Sequence, residues 1–101
     1  MERKDWINLL ILNHKEIFMT DEEFDLLDEL YFVQPYSYLK DTLSWEDDLI
    51  LSTLILLYSK GRIKCLESPD DELFGDVDIK NRGKSLLFLA TKKGLMEHNL
   101  G

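Results

Sequence analysis

One cysteine, two prolines and five glycines in 101 residues leave few ways to staple or punctuate this chain. Cys65 has no second cysteine to pair with, which excludes an internal disulfide and makes a reducing, cytoplasmic setting the expectation. Long apolar runs are also missing. The longest, from Leu49 to Tyr58, contains Ser52 and Thr53 and reaches half a membrane span at most, so no membrane association is expected. Met1-Glu2-Arg3-Lys4 followed by Trp6 to Leu12 has the outline of a signal peptide. Asn8 interrupts the apolar part, however, and no small-residue cleavage site follows Asn13-His14-Lys15-Glu16. Bases are scarce: 12 Lys and Arg stand against 20 Asp and Glu, for a net charge of −8. A chain of that charge repels a polyanion at long range, which disfavours non-specific nucleic-acid binding.

The patterns that carry chemistry are likewise absent. His14, Cys65 and His98 lie far apart without metal-ligand spacing. Glu46, Asp47 and Asp48 are consecutive, so on a helix they diverge by about 100° each and do not converge on one ion. Asp70, Asp71, Glu72, Asp76 and Asp78 lack the spacing of a calcium loop. No serine sits in a nucleophile elbow and no glycine loop could cradle phosphate. The expectation is a protein with no catalytic residues, no metal and no cofactor, hence not an enzyme.

What is present suffices for one domain. The apolar fraction is 45%, and a chain of this length buries roughly two thirds of its unfolded surface. Apolar residues at 6, 7, 9, 10, 11, 12, 17 and 18 predict a helix over 5–18, with Trp6, Leu10 and Ile17 on one face. An isolated helix of that length is marginal in water and must pack on something. Thr20 and Glu23 form a capping box, and Phe24, Leu27, Leu30 and Tyr31 continue at helical spacing until Pro35 stops them. Pro35 is placed to open a short helix, 35–43. Ser44 with Asp47 suggests another capping box for a helix 44–60, and Gly61 suits its left-handed end. The period then changes. Residues 62–66 read as a strand, 67–84 as a loop, and 85–90 as a strand buried on both faces. Thr91 can cap a last helix through about Glu97.

Charge is uneven along this order. Thr20 to Lys60 holds ten acids and two bases, whereas Ile79 to Leu95 holds Lys80, Arg82, Lys84, Lys92 and Lys93 and no acid. The blocks suit a solvated surface, and the basic one is the candidate for nucleic-acid contacts. The aromatics Tyr31, Phe32, Tyr36, Tyr38 and Trp45 cluster around the helix 35–43, as core packing or as anchors of an interface.

Two strings carry a family resemblance. Leu57-Tyr58-Ser59-Lys60-Gly61-Arg62-Ile63 resembles the helix-to-wing junction of bacterial winged helix-turn-helix regulators. Phe88-Leu89-Ala90-Thr91-Lys92-Lys93-Gly94-Leu95 is similar to the passage where their second wing strand enters the last helix, with Ala90 as an extra residue before the threonine. The resemblance covers residues 20–97. It implies an α+β winged-helix domain of three helices and a two-stranded wing over residues 20–101, with residues 1–19 as an added helix packed on it and a short C-terminal helix. It also implies a DNA-reading helix at 44–60 and a wing that touches phosphate.

The residues of that helix point elsewhere. Ile50, Leu54 and Leu57, with Thr53 beside them, fall on the core-facing phase. Leu49, Leu51, Ser52, Ile55 and Leu56 fall on the outward one, fronted by Glu46, Asp47 and Asp48. A reader of base edges needs hydrogen-bonding groups and flanking bases there. Aliphatic side chains instead call for another protein surface. The expectation is therefore a protein-interaction module, a homodimer, whose interface uses Leu49, Leu51, Ile55 and Leu56 with Trp6 and Leu10. The alternative is a DNA-binding regulator that uses the wing and the segment 80–93.

Overall fold

The computed structural model describes residues 18–100. The helix expected over 5–18, with Trp6 and Leu10, therefore lies almost wholly outside the described residues. The described part is α+β. In chain order it runs α1 (Asp21–Asp28), β1 (Gln34–Pro35), α2 (Tyr36–Leu43), α3 (Asp47–Ser59), β2 (Ile63–Ser68), β3 (Asp71–Leu73), α4 (Ile79–Arg82), a 3-10 turn (Gly83–Ser85), β4 (Leu87–Ala90) and α5 (Lys92–Leu100). The four strands form one antiparallel sheet in the order β1-β4-β2-β3.

Local chemistry accounts for most of the boundaries. Thr20 caps α1 through a full capping box: its hydroxyl accepts from the Glu23 amide and the Glu23 carboxylate accepts from the Thr20 amide. The helix stops at Asp28 rather than at Pro35. The Glu29 and Leu30 amides turn back to Leu26 and Leu27, and the Leu30 carbonyl accepts from the Ala90 amide at 2.8 Å. The chain then runs into β1, where Gln34 pairs with Phe88 and Pro35 with Leu87. Pairing with β4 thus overrides the helical spacing that reached Tyr31. Pro35 sits just outside α2 as its cap.

Ser44 does not cap α3. It takes the left-handed conformation (φ 58°) and closes α2, while Glu46 occupies the cap position of α3 without a side-chain bond. The Asp47 carboxylate is drawn away by the Tyr36 hydroxyl, which donates to it at 2.6 Å. Gly61 follows α3 at φ 72°, a backbone conformation that glycine adopts freely.

The segment 67–84 is more than a loop. After β2 the chain turns at Pro69-Asp70 into β3, so that Cys65 pairs with Leu73 and Leu66 with Glu72. It then forms α4, capped by Asp78, and the 3-10 turn. Ile79 from this stretch, and Leu86 just after it, are almost fully buried and join the core. β4 is less enclosed than its composition suggests: Phe88 and Ala90 face the core, while Leu87 and Leu89 are half-buried.

The core unites α1 (Leu26, Leu27), Leu30, α2 (Leu39), α3 (Ile50, Leu54, Leu57) and the sheet (Ile63, Cys65, Phe88). The Cys65 thiol is fully enclosed, and burial pushes its pKa up to about 12. Among the described residues no helix is long and apolar enough to cross a membrane.

Candidate functional site

The most distinctive polar arrangement is internal. Arg62, 1% exposed, follows Gly61 and precedes β2, so it does not lie on a strand face. Its guanidinium donates to Glu97 on α5 at 2.6 Å, to Glu23 on α1 at 2.8 Å and to the Phe18 carbonyl at 2.9 Å. Lys60 adds a second contact to Glu23 at 3.1 Å. Burial pushes the Glu23 carboxyl up, but the Thr20 amide, Lys60 and Arg62 outweigh it, and its pKa lies below the ordinary value. With each of the three guanidinium nitrogens hydrogen-bonded inside the protein, this cluster ties three elements together and presents nothing to a ligand. Nearby, His98 is buried against the Phe24 ring (4.1 Å between centroids), with the Tyr31 hydroxyl 2.8 Å from its Nδ1.

The outward surface of α3 is the feature open to a partner. Leu49 is 40% exposed and Ile55 42%, with Ser52 exposed and Leu56 half-buried. Together with Thr20, Glu22, Thr53 and Ser59 they line a groove of about 410 Å³ between α3 and the start of α1. On the other side of Ile55 lies a second groove of about 520 Å³, bounded by Tyr58, Gly75, Asp76, Val77 and Ile79. Ile55 forms the ridge between them.

Leu51 does not belong to this surface. At 9% exposure it is buried, because α4 and the following turn pack over it and bring Gly83 against its side chain. The helical phase that placed Leu51 outward took no account of the segment 67–84 folding back onto α3. Leu51 is thus a core residue, unavailable to a second chain.

The hydroxyls of α3 on this face are already engaged. The Ser52 hydroxyl donates to the Leu49 carbonyl at 3.1 Å, Ser59 to Leu56 at 2.8 Å and Thr53 to Leu49 at 2.7 Å. None of these hydroxyl protons points outward to a base edge.

No family model, characterised protein or solved structure matches this chain.

The basic residues picked out by sequence do not converge either. Arg82 pairs with Glu67, and Lys84 pairs with Asp47 at 3.2 Å. Lys93 donates to the Lys60 carbonyl and lies 3.8 Å from Glu97. Lys80 and Lys92 are exposed. The Tyr36 hydroxyl and then Lys84 hold the Asp47 carboxyl at a pKa of about 2, so it is ionised at neutral pH. Its charge consumes the two bases nearest the start of α3, Lys40 at 3.4 Å and Lys84. Among the described residues no group of three His, Cys, Asp or Glu could hold a metal ion.

Of the expected interface, Leu49, Ile55 and Leu56 come together. What sequence reasoning missed is the enclosure of Arg62, Glu23, Glu97 and His98. No local signal marks it, because each of these residues reads as an ordinary surface residue until α5 docks.

Proposed function

We propose that this chain is a non-catalytic winged-helix protein that works as an interaction module, dimerising through the outward face of α3. Support for the winged-helix arrangement comes from connection and order. α2 and α3 are joined by the three residues 44–46, with Ser44 left-handed, the length of a helix-turn-helix corner. β2 and β4 then pair as the wing stem, with β3 and α4 as an insertion in the wing, and β1 closes the sheet beside β4.

The observation that carries the functional reading is the apolar groove around Ile55, in the place where a DNA reader of this architecture presents hydrogen-bonding groups. Covering Leu49, Ile55 and Leu56 is worth about 1.5–3 kcal/mol for each side chain. A rim ion pair contributes about 0–1 kcal/mol. The apolar contribution therefore decides what this face associates with.

The alternative, duplex binding through the wing and residues 80–93, draws on the exposed Lys80 and Lys92. Three of its five bases are already paired with acids or a carbonyl. Sedimentation across a concentration series, at low and high salt, tests the choice. A salt-resistant dimer is expected. A strict monomer at high micromolar concentration would overturn the proposal.

A further inference from the structure

We infer that the groove along α3 takes the outward face of α5 from a second copy of this chain. The inference rests on the dimerisation proposed above and names the surface that meets the groove. Exposure, charge and the anchoring of α5 carry it.

α5 turns one side inward and leaves the other bare. Gly94, Glu97 and His98 are buried where the helix packs on α1 and β4. Lys92, Lys93, Met96 and Leu100 are exposed, Met96 at 59% and Leu100 at 69%. Lys92, Met96 and Leu100 follow at four-residue steps, so they share one helical face, with Lys93 beside them. The far side of a docked helix is ordinarily polar. Here it carries two large apolar side chains behind a basic end.

The charges of stripe and groove are complementary. Glu22 on the groove wall, and Glu46 and Asp48 at the head of α3, are exposed acids that frame Leu49, Ile55 and Leu56. Two such grooves pressed face to face would set like charges against each other. The α5 stripe brings the opposite sign, and Lys92 makes no ion pair among the described residues. The lengths agree as well. Lys92 to Leu100 spans about 12 Å of helix, and the groove follows α3 from Leu49 to Ser59, about 15 Å.

The helix that fills a groove belongs to the other copy. Within its own chain α5 is fixed in place. Glu97 accepts from the Arg62 guanidinium at 2.6 Å, the Thr91 amide donates to the Arg62 carbonyl at 2.9 Å, and the His98 ring stacks on Phe24. Its stripe points away from the domain that holds it and cannot turn to the groove of the same chain. Under a two-fold axis each copy offers one stripe and one groove, both are covered, and association stops at two chains. Met96 and Leu100 then meet Leu49, Ile55 and Leu56, while Lys92 faces the acidic rim.

Sedimentation of the full chain beside Met96→Glu on the stripe and Ile55→Glu on the groove ridge tests this. Circular dichroism and the urea midpoint check that each variant folds. Each is expected to weaken dimerisation by about ten-fold or more. Their equimolar mixture is expected to dimerise more strongly than either alone, because the intact stripe of one meets the intact groove of the other. Lys92→Glu alters only exposed surface and reads the same contact without an apolar substitution. It is expected to weaken dimerisation several-fold, more at low salt than at high. Met96→Glu and Lys92→Glu at wild-type strength while Ile55→Glu is weakened, or a mixture no heavier than its components, overturns the docking of α5 and leaves the groove contact standing. A wild-type chain that is monomeric overturns the dimerisation itself.

Discussion

The Arg62 guanidinium and the Glu23 carboxylate meet at 2.8 Å, 39 residues apart in sequence, with 1% and 0% of their side chains exposed. Removing one partner of such a pair leaves the other charged and buried, at about 3–5 kcal/mol. Arg62→Ala takes the guanidinium from both Glu97 and Glu23, while Lys60 still reaches Glu23 at 3.1 Å, so a loss within that range is expected from urea denaturation. Arg62→Lys is expected to recover little. A single ammonium cannot reach Glu23, Glu97 and the Phe18 carbonyl in the fork geometry that guanidinium provides. A loss under 1 kcal/mol for Arg62→Ala would show that the cluster does not hold α1, β2 and α5 together.

Glu23 also makes stability depend on pH. Its pKa is depressed in the folded state from the ordinary 4.5. The stabilisation is therefore complete above pH 4.5 and is lost as pH falls through the lower folded value. Glu23→Gln is expected to be less stable at neutral pH yet to show a shallower decline on acidification. Parallel acid limbs in the two proteins would count against this account.

Gly94 sits where α5 crosses the start of β2, so close that a Cβ there would run into the Arg62 carbonyl. Gly94→Ala must push one backbone off the other. A cost of about 1–3 kcal/mol or more is expected in thermal or chemical unfolding. Gly83 offers an internal comparison. Its nearest obstacle is the terminal Cδ2 of Leu51, at 2.7 Å, the movable end of a side chain. Gly83→Ala is expected to cost less than Gly94→Ala, and the reverse order would contradict the contacts described.

The paired bases of the wing make a prediction about duplex DNA. Arg82 and Lys84 already satisfy Glu67 and Asp47. A gel-shift titration at low salt is expected to show no retention of duplex by the wild type, and none by the Arg82→Ala, Lys84→Ala double variant. Retention that falls steeply with salt and vanishes in the double variant would instead favour a regulator gripping phosphate.

The sequence exposed local signals best. The Thr20–Glu23 capping box, the left-handed Gly61 and the core phase of Ile50, Leu54 and Leu57 could all be read from a few neighbouring residues. Tertiary choices could not. α1 ends at Asp28 because the Leu30 carbonyl is needed by Ala90, sixty residues later. Ser44 gives up its capping role because the corner requires a left-handed residue. Leu51 turns out to be buried because α4 and the turn after it, hidden in a stretch of charges and glycines, bring Gly83 onto it. The outward surface was accordingly legible in Leu49, Ile55 and Leu56, and illegible where a distant segment covers the helix.

The enclosed thiol of Cys65 sits at the middle of the sheet, between Phe88 and Leu73 on its neighbouring strands. Its sulfur ionises only near pH 12 while the fold is intact. An alkylating reagent added at neutral pH consequently finds no thiolate until the strands part. The chain thus carries a built-in stopwatch: the speed at which that one atom is labelled reports how often the strands around it part.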